Sequence, residues 1–173
     1  MTRMVRITSL ATVLVMAGAL CHPFGGDAAA GSHRHGRLQG TWRVQLNPRN
    51  CQTGAPLAPF SVLLSFARGG TLTEVMNAQA FAAGQRSAGL GVWSRTHHNA
   101  YKGVWDAFIL FDSATTPPLF RRGVQRLMWD FDIDGDQMTI EAASQFFDAN
   151  GNPLAQTCAS GTGTRFEDAG DED

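Results

Sequence analysis

The chain has 173 residues, of which 43% are apolar and 17% charged, and its net charge is −1. That composition suits one globular domain and excludes a disordered chain, which has too little apolar surface to offset its ordering entropy. The balanced charge and a pI of about 6.5 exclude the basic footprint of a nucleic-acid-binding protein.

At the N-terminus, Arg3 and Arg6 precede fourteen uncharged residues, Ile7 to Leu20, and Ala28-Ala29-Ala30 follows. A positive start, a short apolar run and an A-x-A site mark residues 1–30 as a cleaved signal peptide. The apolar run falls short of the ~20 residues that a membrane-crossing helix needs. Cys21 raises a rival reading, a lipid anchor, but Leu20 stands where that signal requires a small residue. Cleavage after Ala30 predicts a periplasmic or secreted protein of 143 residues with no transmembrane segment. Five of its 14 acidic residues crowd into Glu167–Asp173, so residues 31–166 carry a net +3. Residues 31–37 read as a flexible lead-in, 38–167 as the folded domain and 168–173 as an acidic tail.

Within the domain the pattern has period two. Trp42, Val44 and Leu46 alternate with polar residues, as do Phe60, Val62, Leu64 and Phe66, and later Leu127, Trp129, Phe131 and Ile133. Such alternation marks half-buried strands. Eight are expected, at 40–46, 59–67, 71–76, 89–95, 100–111, 123–133, 136–147 and 155–166. The inward set comprises Trp42, Val44, Leu46, Phe60, Val62, Leu64, Phe66, Leu127, Trp129, Phe131 and Ile140. The fifth strand is apolar on both faces, and its facing stays open. No carboxylate falls on these inward positions.

The connections alternate in length. If neighbours pair up-and-down, the long loops 47–58, 77–88, 112–122 and 148–154 gather at one end. The tight turns at 68–70, 96–99 and 134–135 gather at the other. The expected fold is therefore all-β, an eight-stranded antiparallel up-and-down barrel shaped as a cup. Cysteine placement agrees. Signal removal leaves Cys51 and Cys158, an even pair in an oxidising compartment. They fall beside the first and last strands, which closure makes neighbours, and so predict a disulfide.

Gly40-Thr41-Trp42 at the head of eight strands resembles the G-x-W signature of the lipocalins and the wider calycin superfamily. The resemblance covers 38–167 in layout. It implies a barrel whose closed end is plugged by Trp42 and covered by an arginine of the last strand, here Arg165. The chain lacks a T-D-Y-like motif between strands six and seven, and no helical pattern precedes its tail. A small secreted bacterial lipocalin-like barrel fits better than a typical lipocalin, and avidin-type barrels share the G-T-W start.

Residues Asp130 to Glu141 match the calcium-loop pattern D-x-D-x-D-G-x5-E. That loop needs a helix on each side, whereas both flanks here alternate at period two. Asp134-Gly135 instead reads as the two-residue turn of a hairpin, setting 133 opposite 136, 131 opposite 138 and 129 opposite 140. His97 and His98 share a tight turn, and no Cys, His or carboxylate cluster has metal-site spacing. No nucleophile motif or phosphate loop stands out, and no cofactor is implied.

The expected function is binding of a small hydrophobic molecule inside the cup. Arg49, Arg86, Arg121 and Arg122 fall at the long-loop end with Phe81, Pro117, Pro118 and Phe120. They suggest a rim for an acidic head, as in a fatty acid. The candidate ligand-binding residues are Phe60, Phe81, Arg86, Arg121, Arg122 and Trp129. A filled barrel acting as a structural or interaction protein of the cell envelope is the alternative. A barrel enzyme or a haem-binding barrel stands third.

Overall fold

A computed structural model describes residues 38–113 and 120–167. The expected signal peptide with Cys21, the expected lead-in, Pro117, Pro118 and the stretch from Asp168 lie outside the described residues. The eight strands are β1 (Gly40–Asn50), β2 (Phe60–Phe66), β3 (Thr71–Met76), β4 (Gly89–Arg95), β5 (Ala100–Ile109), β6 (Gly123–Asp134), β7 (Gln137–Asp148) and β8 (Pro153–Arg165). Each pairs antiparallel with its chain neighbours, and β1 pairs with β8 to close the barrel. No helix occurs among the described residues.

The inward set follows from alternation. Trp42, Val44, Leu46, Val62, Leu64, Phe66, Leu127, Trp129, Phe131 and Ile140 are buried in one core, and Phe60 packs against it. The facing of β5 is resolved: Tyr101, Trp105 and Ile109 point inward, and Val104 and Phe108 remain exposed on the outer face. Leu90 and Val92 of β4 are exposed as well, because their strand turns glycines inward instead.

The calcium-like segment is the β6–β7 hairpin, but its register differs from the expected one by two positions. Ile133 faces Met138, Phe131 faces Ile140 and Trp129 faces Ala142. The turn residues are Gly135 and Asp136, not Asp134 and Gly135, and Asp134 closes the ladder against Gln137. The cause is local. Gly135 adopts φ +60°, which a tight hairpin requires at its first turn position. A shift of two keeps every side chain on its face, so Asp130 and Glu141 oppose each other on the outer surface. There Asp130 lies 3.5 Å from Lys102, and Glu141 lies 3.3 Å from Arg49.

At the tight-turn end, the Arg165 guanidinium stacks 4.2 Å above the Trp42 ring. Its Nε donates to Asp136 Oδ1 at 2.7 Å, and a terminal nitrogen donates to the Gln39 carbonyl. The Trp42 indole donates to the Leu38 carbonyl at 2.8 Å. Gly40 has φ +117°, and a Cβ there would lie 3.0 Å from the Arg165 guanidinium. The glycine of Gly40-Thr41-Trp42 thus makes room for the arginine that covers the tryptophan.

Cys51 and Cys158 form the disulfide, with Cα atoms 5.1 Å apart, tying the loop after β1 to β8. The bridge spans 107 residues. Replacing both cysteines by alanine is expected to lower unfolding stability by about 4–5 kcal/mol on the chain-entropy account. Urea unfolding of oxidised wild type against the double variant measures it; reductant shifts the first curve and leaves the second in place.

Candidate functional site

Bulky side chains fill the tight-turn half of the interior, where Trp42, Phe66, Tyr101, Phe131, Ile133 and Met138 meet. The loop-end half is different. There β7 and β8 contribute Ala142, Ser144, Ala155, Thr157 and Ala159, which are too small to meet across the barrel. A cavity of about 300 Å³ remains. Leu46, Phe60, Met76, Leu127, Trp129 and Phe146 complete its strand-built wall. The β1–β2, β3–β4 and β5–β6 loops bring Leu57, Phe81 and Phe120 to it. Phe120 links the aromatic rings at the mouth, with centroids 5.0 Å from Phe81 and 5.1 Å from Phe146. Contacts of this kind hold loops against a rigid barrel.

One wall holds a buried polar cluster. Glu74 is fully buried on β3, and its Oε2 accepts from Arg86 Nη2 at 2.9 Å. Arg86, from the β3–β4 loop, is itself 4% exposed at its side chain and donates through Nε to Gln125 Oε1 at 2.6 Å. A third donation reaches the Ser87 carbonyl at 3.1 Å. The Trp105 indole lies beside Glu74 without meeting hydrogen-bond geometry, so Trp105 Nε1 and Glu74 Oε1 lack partners among the described residues. Burial pushes the Glu74 carboxyl above its ordinary 4.5, opposed by the Arg86 charge and the Arg86 hydrogen bond.

Two glycines make this arrangement fit. A Cβ on Gly89 would fall 2.5 Å from both Glu74 Oε2 and the Trp105 ring. One on Gly91 would fall 2.4 Å from Trp105 Cβ. With no side chain of its own on these inward positions, β4 leaves space for the indole and the carboxylate. The Trp105 ring then packs edge-on against Trp129, with centroids 4.7 Å apart.

The residues expected to bind ligand divide into two groups. Phe60, Phe81 and Trp129 come together on the cavity. Arg86 instead turns into the barrel wall, and Arg121 and Arg122 stay at least half exposed at 3.9 and 3.8 Å from Asp112. Trp42 and Arg165 lie at the opposite end. Sequence reasoning missed Glu74, Trp105 and Gln125 as site residues, and its expectation that no carboxylate points inward is overturned by Glu74. The signal was present, since Leu72, Glu74 and Met76 alternate through β3. Among the described residues, no histidine lines the cavity, and His97 and His98 are exposed in the β4–β5 turn. Among the described residues, no three metal-ligating side chains converge.

Breaking a buried ion pair from one side leaves the partner charge uncompensated. Glu74→Leu is expected to cost about 3–5 kcal/mol at neutral pH, and Glu74→Leu with Arg86→Met to recover most of that loss. Chemical denaturation of the two single variants and the double variant closes the cycle. The pH dependence has a fixed sign. A folded pKa above the unfolded one gives stability that is full below about 4.5 and lost as pH rises through the folded value. Relative to Glu74→Gln, the wild type should therefore lose stability as pH climbs from about 4.5 toward neutrality. The reverse slope would show that Arg86 outweighs burial.

No protein-family model, curated protein or solved structure matches the chain, so a functional reading of this site stands on its geometry.

Proposed function

We propose that this protein is a secreted or periplasmic lipocalin-like binding protein that holds one small apolar molecule in the loop-end half of its barrel. The cavity carries the reading: about 300 Å³, walled by aromatic and aliphatic side chains, in a fold whose other half is occupied by bulky buried side chains. Eight strands give an interior just wide enough to be filled or to hold one small ligand, and side-chain size decides which. The Cys51–Cys158 bridge is compatible with an oxidising compartment. The Arg165–Trp42 stack supports the lipocalin resemblance.

The rival readings differ in what they require. A filled structural barrel has no use for small residues facing one another across β7 and β8. An enzyme gains a buried ionisable pair, but neither Glu74 nor Arg86 lines the cavity, and each spends its charge on the other.

Titration of the mature protein with a lipophilic fluorescent dye tests the proposal directly. Saturable one-to-one binding is expected, with quenching of tryptophan emission as Trp129 is covered. Ala142→Trp, which fills the cavity from β7, should weaken binding at least tenfold while far-ultraviolet circular dichroism stays unchanged. Dye binding that is non-saturable, or indifferent to the filling substitution, sinks the reading.

A further inference from the structure

The polar cluster does more than close a wall. Gln125 is 4% exposed, lines the cavity and is the member of the cluster that reaches it. Its orientation is fixed chemically. Arginine donates and cannot accept, so the 2.6 Å contact with Arg86 Nε requires the Gln125 carboxamide oxygen on that side. The amide NH₂ is thereby turned the other way, and no described residue accepts from it. A donor that faces the cavity can exchange water for an acceptor on a ligand.

A second polar point lies on the adjoining strands. Ser144 Oγ and Thr157 Oγ1 are 2.7 Å apart, and both residues line the cavity. One hydroxyl donates to the other, and the second hydroxyl's hydrogen remains available. Leu127, two residues along β6 from Gln125, is the cross-strand partner of Ser144, so the amide and the hydroxyl pair share one wall.

Charge narrows the ligand further. Among the described residues, no charged side chain lines the cavity. Arg86 is held by Glu74, Gln125 and the Ser87 carbonyl, while Arg121 and Arg122 lie beside Asp112 and Arg49 beside Glu141. A carboxylate brought into this cavity would lose its hydration and meet no counter-charge, at a cost that neutral amide and hydroxyl donors do not offset. A carbonyl needs only the donor.

We propose that Gln125, oriented by Arg86, is the recognition donor for a neutral hydrogen-bond acceptor (a ketone, ester or amide carbonyl) on an otherwise apolar ligand. The proposal rests on the ligand-binding reading above and sharpens it from an acidic head to a neutral one. Arg86 and Glu74 are positioning residues in it: Arg86 sets the amide, and Glu74 holds Arg86.

Displacement of a bound lipophilic dye by three probes of equal chain length tests it: a methyl ketone, the alkane and the carboxylate. The wild type should bind the ketone roughly tenfold more tightly than the alkane, the value of one buried hydrogen bond, and the carboxylate most weakly. Gln125→Glu keeps an acceptor for Arg86 and replaces the donor, so it should abolish the ketone preference while the alkane still displaces dye. Gln125→Leu should abolish the preference too, and circular dichroism verifies the fold of each variant. Equal binding of ketone and alkane by the wild type overturns the proposal, as does a preference that survives in folded Gln125→Glu, and the binding reading stands in both cases. A dye that never binds saturably overturns both.

Discussion

Closing eight antiparallel strands fixes the width of the interior, and every other residue of every strand must occupy it. The remaining architecture is a matter of volume at each level along the barrel axis. Where Trp42, Phe66, Tyr101 and Phe131 share a level the interior is full, and the Phe66 and Phe131 rings meet edge-on at 5.3 Å. Where alanines and hydroxyl residues of β7 and β8 face Leu46, Phe60 and Trp129, it is hollow. The same backbone thus encloses a bulky core at one level and a cavity at another.

A hollow half weakens the fold locally, because side chains around a void lose contacts that a packed core supplies. The disulfide lies on this half: Cys158 lines the cavity, and Cys51 follows the end of β1. The Glu74–Arg86–Gln125 chain lies there as well, joining β3, the β3–β4 loop and β6 across the interior. Buried ion pairs seldom stabilise more than the apolar residues they replace, so the cluster is better understood by what it specifies. It sets the orientation of one carboxamide and docks one loop, which places Phe81 at the mouth. Arg86 lies 6.0 Å from the centre of the Phe81 ring, so the same guanidinium touches both features.

Much of this fold was legible in the sequence because its dominant rule is binary. Alternation through Trp42–Leu46, Phe60–Phe66 and Leu127–Ile133 marks strands, and the loop lengths and two cysteines mark the order of closure. What stayed illegible follows from quantities that alternation does not contain. The β6–β7 turn slid by two because the positive φ at Gly135 fixes where the turn begins, while a two-residue shift leaves the apolar pattern equally satisfied. In β4 the apolar residues Leu90 and Val92 face out and Gly89 and Gly91 face in, reversing the usual rule. Only the demands of Trp105 and Glu74, contributed by other strands, explain that reversal. Arg86 read as a rim cation because a loop arginine is usually solvated, and its burial depends on a carboxylate twelve residues away.

The two arginine sites show how position converts one side chain to opposite uses. Arg165 covers Trp42 at the packed end and is tied to Asp136 and the Gln39 carbonyl, sealing a level where nothing is meant to enter. Arg86 enters at the hollow end and stops at the wall, its charge met by Glu74 before it reaches the cavity. Had Arg86 faced the cavity directly, the barrel would select anions and a neutral ligand would leave a cation unsolvated. With Glu74 behind it and Gln125 in front, the guanidinium is buried and paired, and only a neutral amide is presented. The fully buried glutamate, costly in isolation, is thus what keeps the Arg86 charge out of the cavity lining.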